Sequence, residues 1–506
     1  MAIADIPLAD PYATERLGAD VAMAIRPGDV IGLAGELGAG KTCLARGMIR
    51  HLASDPGLEI PSPTFTICQT YETSVPVAHF DLYRITDPEE CAELGLGEFA
   101  LGLTLVEWPQ HAGKFLPAGA VTISLRDGPG DGRIASIVAA DDVGAALAQR
   151  IERSLAIRCF LSRNEFAAGT RRYLQGDAST RRYEAVEADD AVRIVMDAPR
   201  QPDGPPIRDG KPYSRIAHLA EDIVPFVAIA GHLRRLGFAA PEIFAADLGA
   251  GLVLLEHLGT GAVVDAAGNP VRERYLDAAR ALARLHRQPA PQTIEVTDSR
   301  GETAVHVLPS YDPGALGIEV SLFQDWYLPH ATARHPGAQA RAEFEAVWAE
   351  LISQLAGSWR SLVLRDYHSP NLIWRGDIGF PRNLGLIDFQ DAVIGPAAYD
   401  LASLGQDARV DIPADLEQAI VESYLAEAAL DAEDAERLRR DYAILAAQRA
   451  TKILGIFVRL NVRDGKPGYL RHLPRLLGYM ERNLRHPALS SLRDWWRRYI
   501  GPAAGR

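Results

Sequence analysis

The sequence predicts two joined units of different architecture. The first is an α/β unit on a mostly parallel sheet. The second is a longer α+β unit in which a few strands precede a largely helical body. Three observations predict this. Short apolar runs alternate with helix-periodic segments through about residue 140, the pattern of strand–helix–strand crossovers. The pattern changes around residues 158–168, where we place the boundary. The chain's 506 residues also exceed what one ordinary domain holds. The expected divisions are 1–157, a linker 158–168, a first lobe 169–260 and a second lobe 261–506.

Leu17, Val21 and Ile25 are spaced four apart, which predicts a helix over 12–25. Val30–Leu33 reads as a buried strand, followed by a glycine-rich turn and a helix over Cys43–Leu52. Strand-like runs recur at Val77–Leu82 and Leu103–Val106. Val121–Leu125 and Ile134–Val138 read as two strands around the Asp127–Gly132 loop, and a helix near Val143–Ala156 closes the unit. Beyond the boundary, Arg181–Glu187 and Val192–Val195 read as a hairpin turning at Asp189-Asp190. The Pro-rich segment Pro199–Pro212 reads as a loop. Two helical stretches and a strand at Leu252–Glu256 follow. After residue 270 the chain reads as helical except for a strand-rich patch at Leu362–Asp388.

Composition excludes several classes. No apolar run is long enough to span a bilayer, which argues against membrane association. Asp5 and Asp10 precede the first basic residue, Arg16, the reverse of a secretory leader. Cys43, Cys68, Cys91 and Cys159 form no C-x-x-C pair, so neither a structural zinc nor a disulfide framework is expected, and a reducing cytoplasm fits. Residues 1–150 carry 10 basic and 20 acidic side chains, and the whole chain has a net charge of −13. Neither part shows the basic footprint of a nucleic-acid binder. If RNA is involved, another protein holds it. Lysine is rare: Lys41, Lys114, Lys211, Lys452 and Lys466 are the only ones, so a lysine inside a motif is informative.

Gly35-Glu36-Leu37-Gly38-Ala39-Gly40-Lys41-Thr42 satisfies G-x-x-x-x-G-K-[ST], with a strand before it and a helix after it. Glycines there let backbone N–H groups turn onto phosphates, and the helix adds its positive end. Lys41 reaches the terminal phosphates and the Thr42 hydroxyl ligates Mg²⁺, which makes ATP the expected nucleotide. Carboxylates for the metal should end neighbouring strands; Asp81 and Glu107 do so, and at least one should face it. Together with this loop, Ser62-Pro63-Thr64-Phe65, His79-Phe80-Asp81-Leu82-Tyr83-Arg84 and Val106-Glu107-Trp108-Pro109-Gln110 resemble the TsaE family. Its members are ATPases of tRNA threonylcarbamoyladenosine (t6A) biosynthesis. The resemblance covers about residues 8–140. It implies that Thr42, Asp81 and Glu107 surround Mg²⁺ and that Ser62–Phe65 acts as a switch. It also implies TsaB and TsaD partners, which handle the tRNA, so that this chain meets tRNA only indirectly.

Leu364-Arg365-Asp366-Tyr367-His368-Ser369-Pro370-Asn371 precedes Leu386-Ile387-Asp388-Phe389-Gln390-Asp391. Phosphoryl transfer to a hydroxyl needs a carboxylate beside the acceptor and ligands for Mg²⁺. Asp366 is the expected proton acceptor, with Asn371 and Asp388 holding metal. These residues resemble the aminoglycoside phosphotransferase-like kinases, whose fold is bilobed and protein-kinase-like, over about residues 165–490. The resemblance places a nucleotide loop at Gly176-Asp177-Ala178-Ser179-Thr180, including Gly176 and Ser179. It places an adenine-reading hinge at Leu254-Leu255-Glu256-His257-Leu258-Gly259, including Glu256. Asp400, in Tyr399-Asp400-Leu401, reads as a buttress of the catalytic loop.

Val195-Met196-Asp197-Ala198-Pro199, Asp366-Tyr367-His368 with Asn371, and Leu454-Gly455-Ile456-Phe457 with Gly465-Lys466-Pro467 narrow the resemblance to the AmgK family. Those kinases phosphorylate N-acetylmuramate and N-acetylglucosamine at the anomeric hydroxyl. There are two departures from the broader fold. Leu364 stands where a histidine often precedes the catalytic loop, and the strand Val195-Met196-Asp197 lacks the phosphate-pairing lysine, for which Arg181 or Arg182 could substitute. The expectation is thus an α/β P-loop NTPase domain followed by an α+β bilobed protein-kinase-like domain. It would support t6A formation and phosphorylate an amino sugar. An aminoglycoside or other small-hydroxyl kinase, and a catalytically degenerate scaffold, remain alternatives for the second part. His286, His306 and His330 lack metal-ligand spacing, and Trp495-Trp496 read as packing.

Overall fold

The computed structural model describes residues 2–174, 181–188, 191–333, 335, 337–376 and 378–501. Its internal contacts divide it into Met1–Val192 and Arg193–Arg506. Among the described residues no helix is long and apolar enough to cross a membrane.

The first unit begins with β1 (Ala2–Leu8), α1 (Pro11–Ala22), β2 (Val30–Ala34), α2 (Lys41–Ala53) and β3 (Cys68–Tyr71). It continues with β4 (Val77–Asp81), β5 (Leu103–Glu107), β6 (Val121–Asp127), β7 (Arg133–Ala139) and α3 (Asp142–Arg163). Seven strands pair in the order β1-β7-β6-β2-β5-β4-β3. β2 runs parallel to β5 and β6, and β4 parallel to β5. The pairs β6–β7, β1–β7 and β3–β4 are antiparallel. The sheet is therefore mixed rather than mostly parallel. Its connections explain this: β6–β7 and β3–β4 are joined by short loops, and a short loop can only make an antiparallel pair. β4 and β5 are buried throughout and mostly apolar, with His79, Asp81, Thr104 and Glu107 as their buried polar residues, and the core of Ile31, Leu33, Leu105 and Ile123 packs on α1 and α2 residues.

α3 outlasts its expected end because Ile151, Ser154, Ile157, Phe160 and Leu161 keep the buried stripe going, so residues 158–163 are helical. β8 (Thr170–Leu174) pairs antiparallel with β9 (Arg182–Ala188). Within this unit the fully buried Arg171 of β8 bonds Asp20 of α1 at 2.9 Å, Glu184 of β9 at 2.8 Å and the Ser154 carbonyl of α3 at 2.9 Å. The expected hairpin turn, Asp189-Asp190, lies outside the described residues.

In the second unit Arg193–Asp197 pairs antiparallel with Leu252–Glu256, which pairs with Ile243–Asp247. A hairpin absent from the sequence reading joins Thr293–Thr297 to Thr303–Val307. Two short antiparallel pairs, Arg360–Val363 with Val393–Pro396 and Leu372–Trp374 with Leu384–Leu386, frame the segments carrying Asp366 and Asp388. The helix Ala432–Val462 runs beneath them for 31 residues, packed on Pro313–Leu322 and Ala398–Gly405. Trp495 and Trp496 are buried as packing residues, the Trp495 indole donating to Ala340 O at 3.0 Å.

Two candidate phosphate-transfer sites

The Gly35–Thr42 loop joins β2 to α2 at the end of the sheet. Gly35 has φ +144, and a Cβ there would stand 2.5 Å from the Leu125 carbonyl oxygen; Gly40, at φ +102, starts α2 from a left-handed conformation. Both positions therefore favour glycine. Lys41 is buried and its ammonium donates to Gly35 O and Glu36 O, each at 2.8 Å, 3.8 Å above the Trp108 ring centroid. Burial lowers its pKa, opposed by the charges of Glu107, Asp81 and Glu36.

Asp81 and Glu107 are cross-strand partners at the ends of β4 and β5. The Thr42 hydroxyl donates to Glu107 at 2.9 Å, and His79 Nε2 lies 3.1 Å from the same carboxylate. Asp81 accepts from the Ser62 hydroxyl, from Thr64 Oγ1 at 2.7 Å and from Tyr83 N at 2.9 Å. Thr42, Asp81 and Glu107 thus converge as hard oxygen donors, a set that fits Mg²⁺. The sequence motifs contained Ser62, Thr64, His79 and Trp108 but did not reveal their partners.

In the second unit the loop after Arg360–Val363 is clamped from below. Fully buried Asp400 accepts from Leu364 N at 2.6 Å and Arg365 N at 2.8 Å. Arg365 has φ +70, a conformation unfavourable for a residue with a Cβ and held here by that clamp. Asp407 accepts from Ser369 N at 2.8 Å, and Asn371 Nδ2 donates to Asp366 O at 3.0 Å and to Asp388 at 3.5 Å. Gln390 also donates to Asp388, at 3.1 Å. Asn371 and Asp388 are therefore adjacent, again an oxygen-donor pair suited to Mg²⁺.

The Asp366 side chain is 42% exposed and, among the described residues, accepts no hydrogen bond; His368 Nε2 stands 3.8 Å away. Partial burial raises the Asp366 carboxyl, but His368, Lys452, Arg449 and Arg365 together hold it below its ordinary value. Burial pushes His368 down to about 4, against the pull of Asp407 and Asp366.

Other expected residues are placed less simply. The Glu256 side chain is engaged by Arg375 at 3.1 Å and by Glu242 N at 3.1 Å. Gly176 and Ser179 lie outside the described residues. His286 is buried, with Nδ1 2.7 Å from the Tyr424 hydroxyl and Nε2 3.6 Å from Asp400, so it is a core histidine beneath the clamp. Sequence reasoning missed Asp407, which holds Ser369 N, and Arg449 and Lys452, whose charges act on Asp366. The rarity of lysine was the one available signal, for Lys452.

Comparison with known proteins finds relatives for each part of the chain. Residues 8–134 match the family model described as threonylcarbamoyl adenosine biosynthesis protein TsaE, and residues 170–440 match the phosphotransferase enzyme family. The N-acetylmuramate/N-acetylglucosamine kinase of Caulobacter vibrioides is 37% identical over 360 residues, 69% of this chain and 97% of the relative. Its Pseudomonas aeruginosa namesake is 35% identical over 62% of this chain and 84% of its own. The tRNA threonylcarbamoyladenosine biosynthesis protein TsaE of Rickettsia felis is 38% identical over 127 residues, 25% of this chain and 74% of the relative. The chain belongs to the phosphotransferase enzyme family through its C-terminal part and carries a TsaE-family domain ahead of it.

Proposed function

We propose that this chain is bifunctional: a P-loop ATPase supporting t6A modification of tRNA, and an ATP-dependent kinase that phosphorylates an amino sugar, N-acetylmuramate or N-acetylglucosamine, at the anomeric hydroxyl. The observation that carries this reading is that each unit holds its own set of phosphate-handling groups. In the first, Gly35–Thr42 cradles ATP, Lys41 meets its terminal phosphates, and Thr42, Asp81 and Glu107 hold Mg²⁺. In the second, Asn371 and Asp388 hold Mg²⁺, and the Glu256 backbone, Gly176 and Ser179 contribute to nucleotide binding. Bound Mg²⁺ would neutralise charge on the transferring phosphates at either site.

Asp366 takes the proton of the sugar hydroxyl as its oxygen bonds to the γ-phosphorus and the bond to ADP breaks. Its depressed pKa keeps it ionised for that role. The domain limits 1–157, 158–168, 169–260 and 261–506 belong to this reading; the start of the second family match at residue 170 supports the one at 169. So do TsaB- and TsaD-type partners that hold the tRNA, and a cytoplasmic location, supported by four unpaired cysteines.

The test is to supply the whole chain with ATP, Mg²⁺ and a panel of sugars and aminoglycosides, and to identify the phosphorylated product. A sugar 1-phosphate from either amino sugar supports the reading. Phosphorylation of aminoglycosides alone, or of nothing in the panel, contradicts it.

A further inference from the structure

The helix Ala432–Val462 carries two cations one turn apart, Arg449 and Lys452, which therefore share a face. Their situations differ. The Lys452 ammonium donates to Glu319 Oε1 at 2.8 Å and lies 3.3 Å from the Tyr399 hydroxyl. Glu319, fully buried, also accepts from Arg365, from the Tyr311 hydroxyl at 2.5 Å and from Gln448 at 3.0 Å. Lys452 thus has its counter-charge.

Arg449 does not. It is 5% exposed, its guanidinium makes one long hydrogen bond, to Gln406 O at 3.5 Å, and among the described residues no carboxylate stands within ion-pair reach. Gln406 directly precedes Asp407, which holds Ser369 N of the catalytic loop at 2.8 Å, so Arg449 stands behind that loop. A charge removed from water without a partner is strongly unfavourable, and a planar guanidinium is suited to grip a carboxylate with two parallel hydrogen bonds.

We infer that Arg449 recognises the carboxylate of the acceptor and makes this kinase selective for an acidic sugar. The inference rests on the amino-sugar reading above. Of the two sugars in question, N-acetylmuramate carries a carboxylate on its lactyl ether and N-acetylglucosamine carries none. Binding of the acidic sugar supplies the counter-charge that Arg449 lacks. The phosphates of ATP are the other possible anion. Arg449 is tied through Gln406 and Asp407 to the loop whose Asp366 receives the acceptor's proton, which favours the sugar.

The experiment compares the unsubstituted full chain with Arg449→Gln and Arg449→Lys. It measures kcat/KM for both sugars at saturating ATP and the KM for ATP. We expect the ratio of kcat/KM, N-acetylmuramate over N-acetylglucosamine, to fall at least about tenfold in Arg449→Gln, about 1.4 kcal/mol of discrimination. Arg449→Lys should retain part of the preference. Both sugars are measured on one preparation, so the ratio does not depend on how much of a variant folds. An unchanged ratio, or a rise in the KM for ATP that accounts for the loss, overturns the inference. Failure of the amino-sugar reading shows differently, as no turnover of either sugar by the unsubstituted chain. Calorimetric titration with N-acetylmuramate then decides Arg449: binding weakened in Arg449→Gln supports it, and equal or absent binding in both proteins overturns it.

Discussion

The two phosphate-handling sites are prepared in opposite ways. Around Gly35–Thr42 the groups that would meet nucleotide or metal are already engaged with protein: Lys41 with two carbonyls, Thr42 with Glu107, and Asp81 with Ser62, Thr64 and Tyr83 N. Around Asp366 the backbone is engaged, by Asp400 and Asp407, while the carboxylate is open to an incoming acceptor. The first arrangement must exchange internal hydrogen bonds before its groups can meet nucleotide or metal. The second is held in place beforehand, which suits transfer to a small freely diffusing acceptor, since groups already positioned need no reorganisation at the moment of reaction.

The largest effects test whether the sites are separate at all. Asp366→Asn should lower sugar phosphorylation by roughly 10²- to 10⁴-fold while ATP hydrolysis by the first unit continues. Lys41→Ala should do the reverse, and loss of both activities in either folded variant would break the comparison. Product formation and ADP release, assayed side by side, distinguish these outcomes. Next comes the clamp. Asp400→Asn keeps one acceptor but opposes an amide donor to a backbone N–H, so unfolding free energy in urea should fall by about 2 to 3 kcal/mol. Sugar turnover should fall with it; unchanged turnover would mean that the loop does not depend on its buttress.

A smaller effect is expected from Ser62→Ala combined with Thr64→Ala. If those hydroxyls compete for Asp81, removing them should lower the Mg²⁺ concentration that half-saturates ATP hydrolysis by roughly two- to tenfold. A higher requirement would show that the hydroxyls assist the metal instead. The smallest effect is an absence of change. The Asp366 carboxyl is depressed below its ordinary 3.8, so it stays ionised at every pH above that value. Its contribution to stability is correspondingly present above 3.8 and lost only as pH falls through its lower folded value. The pH profile of kcat/KM for the sugar should show no acid limb from Asp366 between pH 8 and about 5, and a limb near pH 6 that Asp366→Glu shifts would contradict the cationic surround.

Much of this molecule was legible in its residues, and the parts that were not share a cause. Gly35–Thr42 and Asp366–Asn371 are local patterns, because phosphate binding by a turn and proton transfer by a loop each need several groups within a few residues of one another. β2, β4 and β5 were legible because strands buried on both faces are mostly apolar, the carboxylates Asp81 and Glu107 standing only at the ends of β4 and β5. The hairpin Thr293–Val307 was missed although Thr293, Ile294, Glu295, Val296 and Thr297 alternate, since the surrounding helical pattern dominated that reading. The antiparallel edges β1 and β3 were missed because edge strands carry a weak apolar signal.

By itself the sequence determined the existence of two phosphate-handling loops, their order along the chain and the residue types at their centres. Only the tertiary structure decided which partner each of those residues meets. Ser62 and Thr64 reach Asp81 from nearly 20 residues away, Asp400 reaches Leu364 N from 36, and Lys452 reaches Glu319 from 133. A charge's meaning depends on what neutralises it, and neutralisation acts over a few ångströms of space rather than along the chain. Nothing in the sequence says which of Lys452 and Arg449 has a counter-charge, yet among the described residues one is paired and the other is not.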